Sequence, residues 1–432
     1  MARPRTRRIP RRRVERDVRL TTSQKCAIIR EIERNGNVLY LATIDLVVDY
    51  LSHLENLGQI NEEGIREGLI MASELARGLQ AELWSLYPHY KSAICAGGTP
   101  HVVFDLLDDA WWPRVCGLAD RAQFERIAAS LPALPDNAVP VPVRDALVAF
   151  LTLFHRPLRL VDAVRELNLS WTSQKLSKVV NTFVLALTAL VQERMNFDER
   201  YFQPSWAKQG AAAVATRHPP TAGICAFIDR TDHHIARPAG EAQRWFCVGK
   251  DKAHALRYQA VLAPNGIIIS FYGPFRGPTQ DAVMLASLGL EGRLGQLWPE
   301  RAPWCILGDQ AHPESKRIVR PAQTRRGANN EQEAVAHDQQ LDSVRVAVDW
   351  CFGAPGTGVF SRFEGLANPR AMRMQMRPVT GYLYVAVLLS NMIVCDEQSS
   401  PVAKYFYERL TIPTLSDYMA AFHTPTPEPR PS

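Results

Sequence analysis

The stretch Gly223-Ile224-Cys225-Ala226-Phe227-Ile228-Asp229-Arg230-Thr231 decides how this chain folds. Five apolar residues in a row, opened by Gly, read as a strand buried on both faces. The run ends on a carboxylate, Asp229, which places an acid at a strand mouth. A second short apolar run, Trp304–Leu307, leads through Gly308 to Asp309. Two further acids stand in helical surroundings. Asp281 follows the turn Gly273-Pro274-Phe275-Arg276-Gly277-Pro278, and Asp349 sits in the amphipathic pattern Asp342–Gly353. A hard cation such as Mg²⁺ or Mn²⁺ takes oxygen ligands, usually a few carboxylates plus substrate phosphate. A pair of such ions can clamp the attacking and leaving oxygens of a phosphodiester displacement. Any one of these acids taken alone reads as a turn or helix cap; the set of four is what points to chemistry.

Outward from Gly223, short strand-like runs at Ile224–Ile228, Ala255–Leu262, Ile267–Tyr272 and Trp304–Leu307 alternate with turns. Pro264-Asn265-Gly266 between two of them is a hairpin signal. The chain turns helical after Asp281, returns as a strand before Asp309, and passes through an Arg-, Asn- and Gln-rich loop (317–340) to the helix of Asp349. Residues 221–398 therefore read as an α/β domain with a mixed sheet flanked by helices. Asp232-His233-His234 read as an exposed polar turn, because vicinal His side chains on a strand face opposite ways and make a poor metal site.

Upstream, residues 21–205 read as all-α. Within them, about 143–195, a helix, a break at His155-Arg156-Pro157, a second helix and a turn at Asn168-Leu169-Ser170 precede a long Leu- and Val-rich helix. That outline is helix-turn-helix-like, although pairs of helices that only pack a core share it.

Of the 50 Lys and Arg, nine Arg fall in residues 1–20 against two acids, a local charge of +7. The rest of the chain, with 41 basic and 42 acidic residues, is near neutral. The basicity belongs to an arm, 1–20, too polar to bury a core. Arg3, Arg5, Arg7, Arg8, Arg11, Arg12 and Arg13 are candidate DNA contacts, an import signal, or both. The expected compartment is the nucleus, with a mitochondrial presequence as the lesser alternative. The Pro-rich end, 424–432, reads as a disordered tail. Eight Cys show no CxxC pair and no zinc-ligand spacing, and no signal peptide is visible, so a reducing compartment is expected. No apolar run approaches the uninterrupted length that a membrane span needs, and no membrane association is expected.

The ordered motifs resemble the PIF/Harbinger-type transposases and their nuclease relatives, from about Gly223 to Cys395. The matching pieces are Ile228-Asp229-Arg230-Thr231, Arg237-Pro238, Gln243-Arg244, and the basic strand from Lys250 to Gln259 with His254. They continue with Pro264-Asn265-Gly266, Gly273-Pro274 with Gly277 and Asp281, Leu307-Gly308-Asp309 with Pro313, Val344 to Gly353, and Leu388 to Asn391. The resemblance implies an RNase H-like fold and a DDE endonuclease, with Asp229, Asp309 and Asp349 as catalytic acids binding a divalent metal. Asp281 matches a further acid of the family, a fourth ligand or a group that orients the others. The resemblance also implies DNA as substrate, a separate Myb-like DNA-binding partner, and allows a homo-oligomer. Lys250, Lys252, His254 and Arg257 are candidate phosphate contacts, or else the solvated face of a strand. The chain departs from the family where Arg230 replaces Gly, Asp349 replaces Glu, Ala311-His312 replaces Gly- or Ala-Tyr, and Cys247 replaces Tyr. The alternative reading is a domesticated protein, catalytically weak or inactive, that binds DNA or a partner on the same fold.

Overall fold

The computed structural model describes residues 101–423 apart from 103, 105–106, 168, 170, 220–222, 241, 249–252, 310–311, 321–351, 353–357 and 375. The basic arm, the helices expected over 21–96, Lys250, Lys252, Asp349 and the Pro-rich tail lie outside the described residues.

The first half of the described chain is helical: α1 (Arg121–Ala129), α2 (Val143–His155), α3 (Leu160–Glu166), α4 (Ser173–Asn196) and α5 (Pro204–Arg217). Local chemistry sets their ends. Asp120 accepts the N–H of Gln123 at 2.7 Å to start α1, and Thr172 accepts that of Lys175 at 3.1 Å to start α4. The three helices expected over 143–195 are present. The buried positions of α4 include Leu176, Val179, Val180, Phe183, Val184, Leu187 and Val191, and they pack on α2 and on a later helix. Its apolar face is therefore accounted for by the protein core.

The sheet begins with β1 (Ile224–His234). After the short helix α6 (Ala242–Phe246) come β2 (Cys247–Val248), β3 (Ala253–Leu262) and β4 (Ile268–Phe275). Helices α7 (Asp281–Leu288) and α8 (Leu290–Leu297) lead to β5 (Cys305–Leu307) and β6 (Ile318–Val319). The main path is β4-β3-β1-β5-β6, and β2 pairs with the first residues of β3. β3 is antiparallel to both β1 and β4, whereas β1, β5 and β6 run parallel. The expected hairpin joins β3 to β4. Gly266 takes φ +86°, and the Asn265 carboxamide accepts the N–H of Ile267 at 3.2 Å. A Cβ at Gly266 would stand 2.2 Å from Ser400 Oγ, so both conformation and space favour Gly there.

β1 is longer than its apolar run suggests. Asp229 through His234 stay extended because β3 pairs with every one of them, from Asp229↔Ala260 to His234↔Ala255. Asp232-His233-His234 are thus strand, not the expected exposed turn. His233 is buried at 2 % exposure, its ring stacked on Phe360, while His234 on the other face is exposed.

Four helices complete the fold: α9 (Val359–Arg362), α10 (Val379–Glu397), α11 (Pro401–Tyr405) and α12 (Leu415–His423). By length and composition, α10 and the segment Ser173–Phe202 could each cross a membrane, which corrects the expectation that no stretch is long and apolar enough. Both are core helices here: 89 % and 61 % of their apolar windows are buried inside the fold. α10 lies against α4 so closely that a Cβ on Gly381 would stand 2.7 Å from Val184. Its one central amide, Asn391, is satisfied by β4: Oδ1 accepts Ile268 N–H at 3.0 Å, and Nδ2 donates to Ile268 O at 2.9 Å and Tyr418 Oη at 2.8 Å. Buried apolar residues from Val102 to Phe422 form one continuous core, so the helical half and the sheet are packed as one body.

Candidate active site

The parallel pairing of β1 with β5 sets two of the acids side by side. Phe227 is in register with Leu307, and Asp229 and Asp309 each follow two residues later. β5 stops at Leu307 while β1 continues, so Asp229 lies where its neighbouring strand gives way to a turn. It is therefore inside a strand rather than at its end, but at the mouth of the parallel half of the sheet. The turn is fixed by Gly308 N–H donating to Val319 O at 2.8 Å and by His312. The His312 backbone N–H donates to Asp309 Oδ1 at 3.2 Å, and Nδ1 lies 2.5 Å from the same oxygen. His312 is fully buried, and its Nε2 faces the Gln259 amide nitrogen at 3.5 Å. With Nδ1–H donating to Asp309, Nε2 is the acceptor for Gln259, which sets the tautomer. A buried Gln on β3 thus holds the His that holds the acid.

Arg230 organises the other face of β1. Alternation puts Arg230 and Asp232 on one side and Asp229 and Thr231 on the other. Arg230 Nη1 donates to both oxygens of Asp281, at 3.0 and 2.9 Å, and its Nε lies 3.3 Å from Asp232. Asp232 is gripped from behind by Arg257, whose Nε is 3.1 Å away and whose Nη1 donates to Thr279 O at 2.5 Å. Burial works against the Arg230 charge, but Asp281, Asp232 and Asp309 outweigh it and hold the guanidinium above its ordinary value. Asp281 is 4 % exposed at the first turn of α7, where the helix dipole also favours a carboxylate.

Asp229 accepts the Arg230 backbone N–H on Oδ1 at 2.8 Å. Asp229, on β1, and Asp309, in the turn after β5, are hard oxygen donors of the kind a divalent ion takes. Asp281 does not join them, because both its oxygens face Arg230. Among the described residues no three His, Cys, Asp or Glu converge on a point that could hold a metal. His254 lies on the β2–β3 edge, partnered with Cys247 and away from this network. Burial and then the Arg237 charge lower its pKa. Burial and its neighbour His234 lower that of His233 to about 3, so it stays neutral, and it is no ligand candidate beside Phe360.

Sequence reading finds the acids and offers Arg257 as a phosphate contact, where the structure ties it to Asp232 and to Thr279 O; it misses Gln259 and the roles of Arg230, Asp232 and His312. The available signals were the i, i+2 spacing of Arg230 and Asp232 and the three-residue step from Asp309 to His312.

Neither a curated protein nor a solved structure gives a significant match to this chain. Residues 228–391 do match a family model, that of the DDE superfamily endonucleases. The matched segment starts one residue before Asp229, ends at the Asn391 that ties α10 to β4, and contains all four acids. The segment 228–391 is thus similar in sequence to the DDE superfamily endonucleases.

Proposed function

We propose that this protein is a metal-dependent DNA endonuclease of the PIF/Harbinger type, with an RNase H-like fold and Asp229, Asp309 and Asp349 as its catalytic acids. The observation that carries the reading is the strand register: Asp229 and Asp309 each stand two residues beyond the parallel pair Phe227↔Leu307. The strand order supports it too. Three antiparallel strands, β4, β3 and β1, continued by two parallel ones, β5 and β6, make the sheet an RNase H-like fold requires. Phe352, three residues after Asp349, packs on Phe271, whose β3 partner Ala260 is also the partner of Asp229.

Asp229, Asp309 and Asp349 would hold Mg²⁺ or Mn²⁺, two ions in the full mechanism. Held there, such an ion would supply a Lewis acid for the water and the reacting phosphate. The protein's own part is orientation. His312, held by Gln259, orients Asp309 through one oxygen, and Arg230 N–H orients Asp229. Water, or a DNA 3′-hydroxyl in strand transfer, is the nucleophile. The substrate is DNA, with the basic arm, Lys250, Lys252 and His254 as phosphate contacts and the nucleus as the place of work.

A second reading has one specific observation behind it: Arg230, in place of a small residue, puts a fixed cation among the acids. On that reading the protein is a weak or silent nuclease that binds DNA or a partner. A plasmid-nicking assay in Mn²⁺ or Mg²⁺ separates the two. Cleavage by the wild type that disappears in Asp229→Asn supports the nuclease; equal background from both proteins supports the binding module.

A further inference from the structure

The guanidinium of Arg230 lies between two carboxylates, those of Asp281 and Asp232, and the charge of Asp309 also favours its charged form. Its place is built rather than incidental. Asp281 takes it two-pronged from α7, and Asp232 holds its Nε from the same strand. Arg257 braces Asp232 and is itself anchored on Thr279 O. Each acid is supplied by a different backbone segment, so the arrangement persists without the exposed part of the side chain, which is 32 % accessible.

We propose that Arg230 is an internal counter-cation. It takes Asp281 out of the metal-binding set, and its fixed charge lowers the affinity of the Asp229–Asp309 site for a divalent ion. The inference rests on the metal-binding reading of Asp229 and Asp309 and deepens it, by making metal affinity a property set by one side chain. Like charges repel, and a guanidinium whose charge Asp309 favours also opposes a 2+ ion bound by that carboxylate. Removing Arg230 leaves the buried Asp281 without its partner while Arg257 stays on Asp232, and the freed carboxylate gains by taking up a cation.

The test is Mn²⁺ binding to the full chain, by calorimetry and by the loss of the free-ion electron spin resonance signal, with no activity readout. Arg230→Ala is expected to bind Mn²⁺ about tenfold or more tightly than the wild type. Adding Asp281→Asn to it should remove that gain, and Arg230→Lys should stay near wild type because the charge remains. Asp281→Asn alone should leave wild-type affinity within about twofold. Unchanged or weaker binding by Arg230→Ala, or a tenfold loss in Asp281→Asn alone, overturns the proposal. Should Arg230→Ala not fold, the Asp281→Asn measurement decides by itself. Asp229→Asn keeps the two readings apart. Mn²⁺ binding that survives it sinks the Asp229–Asp309 site while the Arg230 variants still judge the counter-cation. A wild type that binds no Mn²⁺ sinks the live nuclease. In that case Arg230→Ala acquiring a site upholds the inference, and Arg230→Ala acquiring none ends it.

Discussion

Asp281 gives both carboxylate oxygens to a single Arg230 nitrogen, at 3.0 and 2.9 Å, and the two members of this pair are buried unequally. The Asp281 side chain is 3 % exposed and that of Arg230 is 32 % exposed. Breaking the pair therefore costs different amounts from the two sides. Arg230→Ala strands an acid out of water and should lower stability by about 3–5 kcal/mol. Asp281→Asn leaves a cation that is one-third solvated and still held by Asp232, so the loss should be near ~1 kcal/mol. Urea unfolding of both variants checks the order. Equal losses would show that Asp281 is not an isolated buried charge.

His312 is expected to act on Asp309 rather than on substrate, because it is fully buried with Asp309 and Gln259 as its partners. His312→Phe keeps the volume and removes the hydrogen bond, so metal affinity should fall by about 10–100-fold, as for other outer-shell ligands. Gln259→Leu should produce a smaller loss in the same direction. Metal binding by His312→Phe at wild-type strength would remove the His from the site.

Asp349 is one methylene shorter than the Glu usual in related proteins. Asp349→Glu should therefore keep or raise metal-dependent nicking, and Asp349→Ala should reduce it by about a hundredfold or more. If Asp349 only pairs with Arg345 one helical turn away, a contact of a few tenths of a kcal/mol, Asp349→Ala will change neither cleavage nor the Mn²⁺-induced rise in Tm.

His233 makes stability depend on pH. Burial holds its pKa at about 3, below the unfolded value of 6.5. The unfolded chain binds the proton first, so its contribution is complete above pH 6.5 and is lost as pH falls from 6.5 towards 3. At pH 5 the loss amounts to about 2 kcal/mol. His233→Phe, which preserves stacking on Phe360, should flatten that part of the stability curve between pH 7 and 5. A curve as steep as the wild type's would show that the His proton is not what acid adds.

The four acids, the hairpin at Pro264-Asn265-Gly266 and the order of strands and helices could all be read from the chain, because each is carried by local pattern. Apolar runs ending in Asp, turn residues at φ-demanding positions and helical spacing are properties of a few consecutive residues. β1 was read too short for the same reason. Nothing within Asp229–His234 announces a strand, and pairing with the distant β3 is what extends it. Which acids meet is likewise a matter of register and face. The β1–β5 pairing puts Asp229 beside Asp309, while the period of two along β1 turns Arg230 to the far side and hands Asp281 to it. A sequence names the charges, but their partners are chosen across gaps of tens of residues by strand alternation and by the cost of burying a carboxylate alone. Sequence thus determined which residues this protein has available for chemistry, and the tertiary structure alone decided that Arg230 stands among them.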